Sequence, residues 1–154
     1  SPDLQTTTVW RKNELGSLPY IHSFSFTEHY AVLFFYPLAW NRRRFLELKH
    51  PNESLEWKGE SQRTVVHVLD LRTGATIAEL ETDLIFSFHH IDACEQAGGR
   101  EIVVRLVGYP EGHVVQEFWD MPPETLRNPA SRDIPPWLHP EAARVSHRPG
   151  AQGR

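Results

Sequence analysis

Two adjacent imidazoles, His89 and His90, sit inside the mostly apolar run Leu84-Ile85-Phe86-Ser87-Phe88-His89-His90-Ile91-Asp92-Ala93-Cys94-Glu95. A neutral imidazole in apolar surroundings needs a hydrogen-bond partner or a metal ion, because an unpaired buried polar group costs about 1–3 kcal/mol. The alternation of an extended strand puts Phe86, Phe88 and His90 on one face and Ile85, Ser87, His89 and Ile91 on the other. One histidine is therefore expected on each side. A further histidine, His22, stands where Tyr20, His22, Phe24 and Phe26 alternate with Ile21, Ser23 and Ser25. From the local pattern, structural histidine and metal ligand both remain open for each ring.

Phe88-His89-His90-Ile91-Asp92-Ala93-Cys94-Glu95, followed by a glycine turn and Glu101-Ile102-Val103-Val104-Arg105-Leu106, resembles the "FHHINAYE…(I/V)VVDL" signature of carotenoid cleavage oxygenases. Upstream, Tyr20-Ile21-His22-Ser23-Phe24-Ser25-Phe26-Thr27-Glu28-His29-Tyr30, with Pro37-Leu38 after an apolar strand, is similar to another histidine block of that family. The family includes the related retinal pigment epithelium isomerohydrolase. The two blocks occur in the family's order, and the resemblance covers roughly Leu18 to Pro110.

The resemblance implies an Fe(2+) ion on the axis of a seven-bladed β-propeller, held by four histidines. Such a site is suited to oxidative cleavage of a carbon–carbon double bond in a carotenoid or apocarotenoid with dioxygen. Isomerising and stilbene-cleaving relatives share the scaffold. Carried over by motif, His22 and His89 are the expected metal ligands. His90, on the opposite strand face, is expected to hydrogen-bond within its blade. Phe24, Phe86 and Phe88 are read as core packing or as tunnel wall.

Departures accompany the match. Asp92 replaces the usual Asn and Cys94 the usual Tyr, changes expected to weaken local hydrogen bonding. No block matches the family's first and fourth histidine ligands, and Glu28 and Glu95 are not expected to orient the ligands. His29, His50, His67, His113, His139 and His147 lack the flanking motifs. The resemblance thus implies the central portion of a longer oxygenase, inactive by itself. The alternative is a non-catalytic β-sheet binding or interaction module derived from the family.

Elements to position these residues are legible in the hydropathy pattern. Tyr20 to Phe26 and the apolar run Tyr30 to Tyr36 read as a hairpin whose second strand is buried on both faces. Thr64 to Asp70 and Ala75 to Leu80 flank a turn with Gly74, and Phe86 to Cys94 and Ile102 to Val107 flank Gln96-Ala97-Gly98-Gly99. Val114 to Phe118 reads as the start of another strand. Short strands joined by glycine turns argue for an all-β chain of antiparallel strands, and the resemblance selects about two propeller blades over a sandwich.

Residues 1–17 form an irregular segment, in which Thr6 to Trp10 reads as a short strand or edge. Residues 18–120 form the partial propeller. Residues 121–154, with seven of the 12 prolines, read as an extended or disordered tail. Between Pro37 and Glu60 lies a helix-compatible excursion with Arg42-Arg43-Arg44. It reads either as a solvated loop or, by the resemblance, as peripheral membrane contact with anionic lipid, where Trp40, Phe45 and Leu46 dip into the interface.

Among 154 residues the formal charge is −4, which gives no electrostatic reason to expect a nucleic acid partner. The single cysteine, Cys94, excludes an internal disulfide and a cysteine-rich metal site. No apolar run reaches the roughly 20 residues of a spanning helix. A cytoplasmic or peripheral membrane location is expected.

Overall fold

The computed structural model describes residues 8–11, 19–47, 50–59, 61–83, 85–109, 112, 114, 115 and 117, and the backbone of 141–147. Antiparallel strands dominate. β1 (Ser25–Phe26), β2 (Tyr30–Phe35), β5 (Thr64–Asp70) and β6 (Thr76–Thr82) form one four-stranded sheet in that order. β7 (His90–Gln96), β8 (Glu101–Gly108) and β9 (Glu141–His147) form a second. Between β2 and β5 the chain makes a smaller excursion, in which β3 (Leu38–Trp40) pairs with β4 (Leu55–Trp57). Two short helices, α1 (Arg42–Leu46) and α2 (Pro51–Ser54), close its far end.

Alternation explains how the two sheets meet. Val32, Phe34 and Tyr36 from β2 and its end, Val66 and Val68 from β5, and Ile102, Val104 and Leu106 from β8 fall at spacing two and are buried in one cluster. Phe86 lies in the same cluster, fully buried, with its ring 5.1 Å from that of Tyr36 and 4.8 Å from that of Phe88. By contrast β6, an edge strand carrying Glu79 and Glu81, is largely exposed, and its charges disfavour pairing with another chain.

The expected hairpins form with shifted ends. At the β5–β6 turn, Gly74 adopts φ 72°, and a Cβ there would meet the Trp10 ring at 2.7 Å. Trp10 is held in place by its indole N–H, which donates to the Leu71 carbonyl at 2.7 Å. The β7–β8 turn runs through Ala97, Gly98 and Gly99, all at positive φ. Residues 8–11 adopt no regular structure, so within the described part of the N-terminal segment no strand forms.

Other expectations are corrected. Only Ser25 and Phe26 of the run 20–26 join a ladder, since Tyr20 turns away and its N–H donates to the Leu38 carbonyl at 2.8 Å. The strand expected from Phe86 begins at His90, and before it Phe86 makes an isolated bridge with Tyr109. Val114 and Val115 are helical rather than extended, and both are buried in the core cluster. Within the tail expected to be extended or disordered, residues 141–147 are extended, as the strand β9, and pair along β8 from Ile102↔His147 to Gly108↔Glu141. His113 and His139 lie outside the described residues.

Phe86 joins aromatic rings from both sheets, so its loss opens a cavity at their junction. Phe86→Ala is expected to lower unfolding free energy by about 3–5 kcal/mol, measured by chemical denaturation. A change below about 1 kcal/mol would mean that the sheets do not share this core.

Candidate metal centre

The segment 22–29 and the segment 88–95 lie side by side in the same chain direction. His22 and Ser23 meet Phe88, Ser25 meets His90, and Thr27 and His29 meet Glu95. They belong to different sheets, and among the described residues no backbone-to-backbone hydrogen bond joins them. Side chains make the junction instead. Period two divides the upstream segment: Ser23, Ser25 and Thr27 face β7, while His22, Phe24 and Phe26 are exposed.

On the exposed side the junction brings His22 and His89 together. Their ring centres are 5.1 Å apart and their planes nearly perpendicular, at 86°. Phe88 packs edge-on against His22 at 5.5 Å. The His22 Nδ1 lies 2.9 Å from the Phe88 carbonyl oxygen. A carbonyl can only accept, so this contact places the hydrogen on Nδ1 and leaves the Nε2 lone pair available. The Ser23 hydroxyl donates to the same carbonyl at 2.8 Å, filling its second lone pair. His89 is exposed, and its backbone carbonyl accepts from Val107 N–H at 3.0 Å and from the Ser87 hydroxyl at 3.0 Å.

His90 faces the other way. Its Nδ1 is 2.7 Å from the Ser25 hydroxyl and its Nε2 is 3.1 Å from the Tyr36 hydroxyl. Both hydroxyls can donate or accept, so a neutral imidazole is fully satisfied. Burial disfavours the imidazolium and pushes the pKa of His90 down to about 4. The expected structural role is thus observed, with one correction: the partners lie on β1 and at the end of β2, so His90 links the two sheets rather than bonding within one.

Glu95 has a role that the motif did not suggest. Its carboxylate accepts from the Thr27 hydroxyl at 2.6 Å, from His29 N–H at 3.0 Å and from His29 Nδ1 at 3.0 Å. It touches neither His22 nor His89. Asp92, expected to weaken hydrogen bonding, instead gains a two-pronged ion pair with Arg105 across the β7–β8 ladder, including a 2.7 Å bond from Arg105 Nε. Of the phenylalanines, Phe86 is core and Phe88 packs against it, whereas Phe24 is 55% exposed. The polar stripe Ser23, Ser25 and Thr27 at spacing two was the sequence signal for the junction.

Among the described residues, no group of three or more His, Cys, Asp or Glu side chains is placed to hold a metal ion. The site consists of two imidazoles. His67 sits elsewhere, its ring 4.5 Å from that of Phe35 and its Nε2 3.4 Å from Glu79.

The Glu95 hydrogen bond and charge raise the pKa of His29, to which Glu28 and Asp70 add. Hydrogen bonds from Thr27 and then His29 lower that of Glu95. The His29 share of stability is present below its unfolded value of 6.5 and lost as pH rises through the higher folded value. The Glu95 share is present above 4.5 and lost as pH falls through the lower folded value. The contact is therefore strongest between about pH 4.5 and 6.5. By NMR titration, His29 is expected to have a pKa above 6.5 and to fall toward that value in Glu95→Gln. An unchanged value in the variant would assign the shift to Glu28 and Asp70.

Residues 2–147 match the family model described as retinal pigment epithelial membrane protein. The chain is 27% identical over 130 residues to the carotenoid isomerooxygenase of Galleria mellonella, covering 82% of this chain and 24% of that protein. It is 28% identical over 112 residues to the beta,beta-carotene 15,15'-dioxygenase of Homo sapiens, covering 68% and 20%. Its fold is similar to that of a glutamate-to-glutamine variant of the Synechocystis apocarotenoid oxygenase, with a TM-score of 0.59 at 17% identity, over 86% of this chain and 26% of the other. The chain thus spans about a quarter or less of the curated relatives it matches. By that family match and by relatives that are carotenoid oxygenases, the chain belongs to the retinal pigment epithelial membrane protein family.

Proposed function

We propose that this chain is the part of a carotenoid-cleaving dioxygenase that contributes two ferrous-iron ligands, His22 and His89, and about two blades of a seven-bladed propeller. The observation that carries this is the pairing of the two imidazoles at 5.1 Å on one exposed face. At this separation the two imidazoles would both be within reach of one first-row ion. The donor set also fits. Neutral nitrogen ligands suit a borderline ferrous ion, and the Phe88 carbonyl fixes the His22 tautomer in the way an outer partner of a metal ligand does.

The chemistry such an ion supplies when bound is activation of dioxygen for insertion across a carbon–carbon double bond. The protein's share is geometric. Phe88 holds the His22 ring edge-on. Phe24, Phe26 and Ile91, exposed at 55%, 66% and 61%, offer apolar contact for a carotenoid or apocarotenoid. Two nitrogen ligands hold iron weakly, and no block of this sequence matches the family's other two histidine ligands, so by this reading the 154-residue chain has no oxygenase activity of its own.

Anaerobic Fe(II) titration tests the ligand assignment. His22→Ala and His89→Ala are each expected to abolish specific binding, while His90→Gln retains it. Binding unchanged in both alanine variants would remove the metal site and leave the non-catalytic binding module as the function. Apocarotenal formation by this chain with Fe(II) would contradict its proposed inactivity.

We also propose peripheral contact with anionic membranes through α1. Phe45 and Leu46 are 57% and 67% exposed beside Arg42, Arg43 and Arg44. Arg43 pairs with Glu47 at 2.9 Å and Arg44 with Glu56 at 3.8 Å, which tempers their free charge. With about 1 kcal/mol per basic residue near a lipid surface, replacing all three by glutamine is expected to weaken sedimentation with anionic vesicles at least tenfold. Unchanged sedimentation would remove the membrane contact.

A further inference from the structure

The spacing of His22 and His89 depends on how far one segment is shifted along the other, and no backbone ladder fixes that shift among the described residues. Side-chain contacts remain, in two places. Beside the imidazoles, the His22 ring and the Ser23 hydroxyl meet the Phe88 carbonyl, and His90 meets the Ser23 and Ser25 hydroxyls. At the far end one carboxylate, Glu95, takes three hydrogen bonds from the turn Thr27-Glu28-His29. We propose that Glu95 is a positioning residue that fixes the register of the 22–29 segment along β7 and thereby the separation of His22 and His89.

Both ends of this contact are anchored. On the β7 side, Glu95 is opposite Ile102 in the ladder with β8. On the other, the turn belongs to the four-stranded sheet. Thr27 N–H donates to the Tyr30 carbonyl at 2.8 Å, Tyr30 N–H donates to the Thr27 hydroxyl at 3.1 Å, and Leu71 N–H donates to the His29 carbonyl at 2.9 Å. Pulling on Glu95 therefore pulls on β1, β2 and the β5–β6 turn together. The Glu95 side chain is only 16% exposed, while that of His29 is 60% exposed, so the carboxylate sits inside the junction with the imidazole closing over it.

The physical need is set by the pleat. A slip of one residue moves an extended chain by about 3.3 Å and exchanges its two faces. That slip would turn His22 toward β7 and Ser23 outward. Short side-chain bonds at both ends of the segment resist it better than bonds at one end, and hydrogen bonds to an ionised carboxylate are about twice as strong as neutral ones. Along the extended chain the contact lies on the order of 15 Å from the imidazoles, so Glu95 acts through register and touches neither ring.

The proposal uses the assignment of His22 and His89 as ligands only for its consequence, and its test needs no metal. The 154-residue chain is labelled with 15N at histidine, and two signals are read: the His22 Nδ1–H tautomer and the ring-to-ring NOE between His22 and His89. Glu95→Ala is expected to lose the NOE and give His22 a mixture of tautomers, with circular dichroism unchanged. Glu95→Gln, which keeps an acceptor for Thr27 and for His29 N–H, is expected to restore both. A folded Glu95→Ala variant with both signals intact overturns the proposal. Should that variant fail to fold, Thr27→Val and His29→Asn each remove one arm, and intact signals in both overturn it, whereas loss in either supports it. Fe(II) titration of the unsubstituted chain separates the two ideas: absent iron binding with these signals responsive to Glu95 removes the metal assignment and leaves the positioning role standing.

Discussion

The junction between the two larger sheets is made by side chains, and the rest of the molecule is arranged around that constraint. An ordinary ladder would have given the segments 22–29 and 88–95 a fixed register through backbone bonds. Here the hydroxyls of Ser23, Ser25 and Thr27 take that part, meeting the Phe88 carbonyl, the His90 ring and the Glu95 carboxylate in turn. Because hydroxyls are short, the segments must lie close. Because they recur at spacing two, the opposite residues, His22, Phe24 and Phe26, are exposed together.

Apolar packing holds the sheets at this distance. Phe34 lies edge-on to His90 at 5.1 Å, so the buried imidazole is enclosed by aromatic surface as well as by hydroxyls. Tyr36 serves both purposes, stacking with Phe34 at 6.0 Å while its hydroxyl meets His90. Burial raises the pKa of that hydroxyl, which keeps it neutral as a hydrogen-bond partner. The cost of burying polar groups here is offset because both ring nitrogens of His90 and the hydroxyls of Ser25 and Tyr36 are partnered, and a network of this kind favours one arrangement of the sheets over alternatives.

Much of this was legible in the chain. The β5–β6 and β7–β8 hairpins follow from alternation ended by glycine turns, and the two histidine blocks identified the pair that the fold brings together. What escaped is non-local. Nothing near Tyr20 announces that its N–H will bond Leu38 and end the ladder early. Val114 and Val115 carry strand propensity, yet as buried residues they are helical because tertiary packing overrides a weak local preference. β9 lies in a proline-rich stretch, and its place beside β8 depends on a partner far back in the sequence. Asp92 looked like a lost hydrogen bond when set against a motif, but the partner it gains, Arg105, lies across a hairpin.

Adjacent identical residues acquire opposite duties at His89 and His90, and the pleat accounts for it. Exposed His89 is paired with His22 across the junction and is not needed to satisfy the core. His90 spends both ring nitrogens on Ser25 and Tyr36 and has none left for an ion. The ladder with β8 shifts between His90 and Asp92, so the histidine pair stands where β7 enters its sheet. A strand entry is where a chain can change neighbours without leaving backbone groups unpaired: the His89 carbonyl still reaches Val107, while His90 N–H turns to the Ser23 hydroxyl, just before β1. The His-His dipeptide is thus a division of labour at a sheet boundary, one ring offered outward and the other used to hold the boundary closed.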